Sequence, residues 1–227
     1  MILRLSIRRE DPQNGTCTYQ SFEIPYEEGM TFLTALQRIK EYQDETLTFR
    51  HFCRAGICGT CTIYINGFPK LACKEQVLPY VLLEREVILE PLKGFKVIRD
   101  LAVENEKVIR RIKEIHGWIK GTAGECRIPP DISKKLENAA DCILCFACQS
   151  YCPQVLEERY AGPLIFAKLY RFLEDPREVN REERLMQAIE YGNLYHCLSC
   201  NKCNHVCPKE VQPATLIREL MTYNRHL

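Results

Sequence analysis

Two stretches constrain the fold of this chain more than anything else in it. CILCFACQSYCP, residues 142–153, places four cysteines within eleven residues and follows the last with proline. CLSCNKCNHVCP, residues 197–208, repeats that spacing 55 residues later. Fourteen cysteines in 227 residues leave two broad readings, a disulfide scaffold or thiolate-bound metal. Disulfide scaffolds are short and carry secretory leaders. Here MILRLSIRREDP interleaves Arg4, Arg8 and Arg9 with apolar residues, without the unbroken apolar core or small-residue cleavage site of a signal. Metal is therefore the expectation, in a reducing, cytoplasmic setting. Apolar runs such as YVLLE and GPLIFA are too short to span a bilayer. Any placement on the cytoplasmic face of a membrane would come through partner subunits, with no transmembrane segment in this chain. A net charge of +1 gives no electrostatic reason to bind nucleic acid.

The first hundred residues read as strand-rich with one helix. LRLSIRR and TCTYQSFEI are β-like runs separated by EDPQNG, whose Pro and Asn-Gly make a hairpin turn. MTFLTALQRIKEY sets Phe32, Leu33, Leu36 and Ile39 on one helical face. TIYING and FPKLAC form a second hairpin across Asn66-Gly67, and EVILEPL is a late strand. AVENEKVIRRIKEIHGWIK is helical by period and charge, and GTAGECRIPPD has linker chemistry. The remainder is helical: SKKLENAADC, GPLIFAKLYRFLED, REERLMQAIEYG and QPATLIRELMTYN. The expected class is α+β, with a sheet domain over 1–105 and an all-α domain over 106–227.

CRAGICGTC gives Cys53-x4-Cys58-x2-Cys61, and Cys73 follows in LAC. That is the plant-type [2Fe–2S] spacing. Two irons need four thiolates converging from a loop, and Gly56 and Gly59 let the loop turn tightly with their amides free to point at sulfur. A zinc knuckle is the alternative, although zinc pairs usually have x2–4 spacing without a glycine-flanked x4 loop. Arg50, His51 and Arg54 read as a solvated rim, or as charges that offset an anionic cluster.

The two later runs each match the bacterial ferredoxin pattern, in which the fourth cysteine ligates the other cluster. One [4Fe–4S] cluster is assigned to Cys142, Cys145, Cys148 and Cys207, the other to Cys197, Cys200, Cys203 and Cys152. Cys17 and Cys126 are left over; the first reads as structural in a strand, the second as a linker thiol. His196 and His205 read as surface residues, with donation to sulfur or proton relay as the alternative. Lys202 and Lys209 balance cluster charge or face a partner. No nucleophile arrangement and no nucleotide-binding glycine motif is found, so no catalytic residue is assigned.

With these motifs in order, the whole chain resembles the iron–sulfur subunit of succinate dehydrogenase and fumarate reductase. FRHFCRAGICGTC, LAC, EPLKGFKVIRDLAV, DCILCFACQSYCPQ, GPLIFAKLYRFLEDPR and CNHVCPKEVQP carry the resemblance. It implies a β-grasp plant-type ferredoxin domain followed by an α-helical two-cluster ferredoxin domain. It also implies electron transfer, in respiration or the tricarboxylic acid cycle, between the FAD of a flavoprotein subunit and a terminal quinone, thiol/disulfide or other redox partner. FAD would sit on the partner alone.

Two departures from the common quinone-linked members matter. Those members lack the middle cysteine of the second run and hold [3Fe–4S] there; here Cys200 fills the place, so [4Fe–4S] is expected, at lower potential, with [3Fe–4S] as the alternative. Where they carry a quinone-lining Trp and a His, this chain has Glu157 and Leu198. The resemblance therefore points to the branch whose membrane anchor is replaced by a Cys-rich, heterodisulfide-reductase-like subunit. That module is fused in the thiol-linked enzyme of methanogens; with this chain ending at Leu227, it is expected as a separate subunit. An iron–sulfur subunit of a different flavin-dependent dehydrogenase, and a zinc-stabilised interaction protein, are the competing readings.

Overall fold

The computed structural model describes residues 1–121 and 127–223. Cys126 lies outside the described residues. The chain divides into two compact units, Met1–Glu104 with the short segment Ile143–Ala147, and Asn105–Cys142 with Cys148–Leu227.

In the first unit, β1 (Ile2–Asp11) and β2 (Thr16–Pro25) pair antiparallel from Ile2 opposite Pro25 to Asp11 opposite Thr16. Alternation along β1 sends Leu3, Leu5 and Ile7 into the core. The intervening turn is held by the Asp11 carboxylate, which accepts from Gln13 N at 3.0 Å and Asn14 Nδ2 at 2.9 Å. Helix α1 (Phe32–Tyr42) starts where the Thr31 hydroxyl accepts from Thr34 N at 3.2 Å. Its buried stripe is Phe32, Leu33, Ala35, Leu36 and Ile39, which includes all four residues expected from the sequence. Strands β3 (Thr62–Ile65) and β4 (Phe68–Leu71) close across Asn66 and Gly67, at φ +48° and +83°. Both values suit the primed hairpin turn that Asn-Gly favours. After the single turn α2 (Leu78–Val81), β5 (Val87–Glu90) inserts parallel to β1 and antiparallel to β3. The sheet runs β2-β1-β5-β3-β4, the β-grasp arrangement.

The stretch from Ala102 does not begin as helix. β6 (Val97–Arg99) and β7 (Ala102–Val103) form a separate two-stranded ribbon. Asp100 reverses the chain between them at φ +48°. Its buried carboxylate accepts from Arg9 Nε at 3.0 Å, Glu10 N at 3.2 Å and Thr48 N at 2.8 Å. These bonds tie the ribbon to β1 and to the segment that leads into the Cys53 loop, overriding the local helical period.

The second unit is helical. It holds α3 (Glu106–Glu114) and α4 (Pro130–Ala140), and α5 (Ala147–Ser150) carries the chain into it. There follow α6 (Pro153–Leu156), α7 (Pro163–Glu174), α8 (Arg181–Glu190), a 3-10 turn at Leu194–His196, α9 (Lys202–His205) and α10 (Pro213–Tyr223). The central element is α7, buried along Leu164, Ile165, Phe166, Leu169, Tyr170, Phe172 and Leu173 and packed by α4, α8 and α10. Helix α3 stops well short of the periodic stretch that predicted it. The carbonyls of Ile115, His116 and Trp118 instead accept from the guanidinium of Arg184 on α8. Arg184 is buried and also pairs with the buried Glu178. Among the described residues, no helix is long and apolar enough to cross a membrane.

Candidate metal centres

The Cys53–Cys61 loop wraps back on its own first sulfur. The amides of Ala55, Ile57 and Cys58 donate to Cys53 Sγ at 3.4, 3.3 and 3.3 Å. These three donors, Ala55 first, draw the Cys53 thiol down to about 6. The Cys53 amide in turn faces Cys58 Sγ at 3.5 Å, and the Thr60 hydroxyl lies 3.1 Å from that sulfur. The wrap uses φ values of +60° at Arg54, +71° at Gly56 and +70° at Gly59. The glycines thus supply the turns, while the amides that reach sulfur come from their neighbours. At Gly59 a side chain is excluded on contact grounds too. A Cβ there would sit 2.8 Å from Cys145 Cα and 2.9 Å from the Ile143 carbonyl, in the segment that belongs to this first unit. Cys61 and Cys73 lie together and buried, and burial pushes the Cys61 thiol up to about 12. Such sulfurs ionise when a cationic centre replaces the lost water. Arg50, His51 and Arg54 are exposed, as a solvated rim requires.

The two later runs share more than cysteine spacing. Leu144 and Phe146 in the first have φ of +55° and +62°; Ser199 and Asn201, their counterparts in the second, have +51° and +58°. Non-glycine residues rarely adopt this conformation. Left-handed residues in a loop help turn backbone amides toward a concavity of the kind that binds anionic clusters. The same strained wrap occurs in both runs, so the second loop is shaped like the first around Cys200.

The sulfurs cross between runs. Cys152, the last cysteine of the first run, lies within electrostatic reach of Cys197 and Cys200, and Cys203 within reach of Cys197, Cys152 and Cys200. Burial pushes the Cys203 thiol up to about 12 and Cys152 in the same direction, with those neighbours adding to it. Cys207 is likewise raised by burial and senses Cys142 of the first run. The amides of Gln154 and Val155 point at Cys152 sulfur, and Val211 N donates to Cys207 Sγ at 3.4 Å. Cys145 and Cys148 are buried. Every described cysteine is a free thiol, including Cys17, which is exposed on β2. Among the described residues, no three or more His, Cys, Asp or Glu side chains close on one point as ligands of a single ion would. Sulfurs around an inorganic core of several irons stand farther apart than that. His196, His205, Glu157, Leu198 and Lys202 are exposed.

One neighbour of these sulfurs carries no sequence signal. Tyr160 is 2% exposed, and its hydroxyl oxygen completes no hydrogen bond of good geometry. The groups acting on it after burial are Cys197, then Cys152 and Cys203. Tyr160 also borders a cavity of about 580 Å³ that Arg111, Gln187, Tyr191 and Asn193 line.

Residues 4–110 match the family described as a 2Fe-2S iron-sulfur cluster binding domain, and residues 138–211 the 4Fe-4S dicluster domain. The fumarate reductase iron-sulfur subunit of Escherichia coli is 31% identical over 224 residues, covering 96% of this chain and 91% of that one. The chain belongs to the succinate dehydrogenase/fumarate reductase iron–sulfur subunit family. Another member, succinate dehydrogenase [ubiquinone] iron-sulfur subunit 3, mitochondrial, of Arabidopsis thaliana, is 33% identical across 96% of this chain and 72% of its own length. A subunit of the fumarate reductase (CoM/CoB) of Methanothermobacter marburgensis is 36% identical over 88% of this chain. This family member spans only 40% of that methanogen protein's length. The fold is shared with a chain of the Mycobacterium smegmatis Sdh1 complex in the apo form, with a TM-score of 0.87 and 24% identity over 100% of this chain and 98% of that one.

Proposed function

We propose that this chain is the electron-transfer subunit of a succinate dehydrogenase or fumarate reductase complex, passing electrons between the FAD of a flavoprotein subunit and a terminal redox partner. The observation that supports the reading is that Cys152 lies within electrostatic reach of Cys197, Cys200 and Cys203, and Cys207 within reach of Cys142. Two-cluster ferredoxin modules exchange their fourth ligands in this way. Cys53, Cys58, Cys61 and Cys73 would hold a [2Fe–2S] cluster. Cys142, Cys145, Cys148 and Cys207 would hold one [4Fe–4S] cluster, and Cys152, Cys197, Cys200 and Cys203 a second. When bound, the clusters supply one-electron relay stations. The chain's own contribution is to bury the thiols of Cys61, Cys73, Cys145, Cys148 and Cys203 and to aim amides such as those of Ala55, Ile57 and Val211 at sulfur.

Substrate chemistry belongs to the flavoprotein partner, and no residue here acts on succinate or fumarate. The complete second run, with exposed Leu198 and Glu157, favours a Cys-rich, heterodisulfide-reductase-like subunit over a quinone-binding membrane anchor as terminal partner. A cytoplasmic site, peripheral to the membrane through partners, accords with that assembly.

Anaerobic purification of the chain with its associated subunits tests the proposal. Ten irons per chain are expected, about two from the first cluster and four from each cubane, together with succinate–dye or fumarate-reductase activity. Zinc in place of iron would overturn the cluster reading. Full iron without either activity would assign the chain to a different flavin-dependent dehydrogenase.

A further inference from the structure

The Tyr160 hydroxyl is a buried donor without a hydrogen bond of good geometry, and the cysteines that act on it are Cys197 first, then Cys152 and Cys203. A phenol ionises near pH 10 and is a donor at neutral pH. Leaving such a group unpaired in a protein interior is costly, and native structures rarely do it without reason.

Its placement is over-determined. The Arg111 guanidinium donates to the Tyr160 and Ala161 carbonyls at 3.4 and 3.2 Å, Gln149 Nε2 donates to the Ala161 carbonyl at 2.7 Å, and Ala161 N donates to the Gly192 carbonyl at 3.0 Å. Gly162 follows at φ +112°, where a Cβ would meet the Gln149 carboxamide at 2.1 Å. The Tyr160 ring rests on Phe166 with centroids 5.0 Å apart. The nearby cavity does not wet the hydroxyl, which is sealed from solvent.

We propose that Tyr160 is a positioning and tuning residue of the third cluster, its hydroxyl donating a hydrogen bond to the Cys197 thiolate. The inference rests on the assignment of Cys152, Cys197, Cys200 and Cys203 to that cluster. A donor to a ligand sulfur stabilises the more electron-rich, reduced state and so raises the reduction potential.

The test is a potentiometric titration, followed by EPR, of the intact iron-loaded complex with Tyr160→Phe. The third-cluster midpoint is expected to fall by about 59 mV, a tenfold change in a one-electron equilibrium. Iron content and the other two midpoints should stay in place, which a merely structural role would not single out. An unchanged third midpoint overturns the proposal. If the Phe variant loses the cluster, site-specific 3-fluorotyrosine at 160 provides the second measurement: a more acidic phenol should raise the midpoint, and no rise overturns the proposal equally. Cys200→Ser separates the two levels. If it leaves the titrating signal untouched, the cluster assignment itself fails; if it abolishes that signal while Tyr160→Phe shifts nothing, only the role of Tyr160 fails.

Discussion

Cys200 decides how many irons the second run can hold. On the proposed assignment, Cys197, Cys200, Cys203 and the lent Cys152 would provide four ligands; without Cys200 one iron of a cubane would have no thiolate. The backbone on either side, Ser199 at φ +51° and Asn201 at +58°, repeats the strained wrap around Cys145, and non-glycine strain of this kind persists where the surrounding structure over-determines it. Cys200→Ser is therefore expected to convert the third centre to a three-iron form or empty it. EPR of the oxidised, air-protected complex should show a [3Fe–4S] signal in the variant and none in the parent, with the other two clusters unchanged. A stoichiometric three-iron signal in the parent would count against a native cubane. At this scale the candidate ligands were legible from sequence because cluster ligation demands both a residue type and a spacing. Tyr160 was not legible: RYAGP reads as an ordinary loop entering a helix, and the burial that gives the hydroxyl its meaning is tertiary. The amides facing Cys53 were hidden for a related reason. Every residue but proline has an amide N–H, and only the wrapped conformation shows which ones reach sulfur.

Among the elements, those with strong period or unambiguous turn chemistry matched their expectation. The two hairpins and α1, α4, α7, α8 and α10 lie where alternation, helical spacing and Asn-Gly turns placed them. The exceptions are elements set by distant charges. The β6–β7 ribbon exists because Asp100 reverses the chain and bonds to Arg9 and Thr48, partners remote in sequence. Helix α3 ends early because the carbonyls of Ile115, His116 and Trp118 are satisfied by Arg184 rather than by further helical turns. In REERLMQ that arginine looks like one more charge on a solvated face, yet its side chain is 1% exposed beside Glu178 at 0%. A buried pair adds little net stability when intact, but removing one partner strands the other charge. Arg184→Met should therefore destabilise the second unit by about 3–5 kcal/mol, seen as a lower denaturant midpoint of the helical signal. Arg184→Met with Glu178→Gln should recover part of that loss. A single variant as stable as the parent would show that the pair does not organise α8.

For the whole molecule, the two units differ in what they can build without metal. The first has a sheet with two ten-residue strands and a continuous core of Leu3, Leu5, Ile7, Phe32, Leu36 and Ile39, enough apolar burial to persist once its loop is emptied. The second spends much of its chain on the cysteine loops and on α6 and α9, each four residues long. Helices that short have no stability of their own. On the proposed assignment their positions would be fixed by thiolates lent between runs, and the free energy of binding iron would be folding free energy for this unit, as in small metallo-domains generally. Anaerobic removal of iron with a chelator should then act unevenly. The helical circular dichroism and the cooperative melt of the second unit should be largely lost, while slow amide exchange in β1, β3 and β5 persists. Returning iron and sulfide under reducing conditions should restore both, because every described cysteine is a free thiol and no disulfide has to be rebuilt among them. A chelated chain that kept its full helical signal and melted as before would show that the apolar packing around α7 suffices without the crossed ligands.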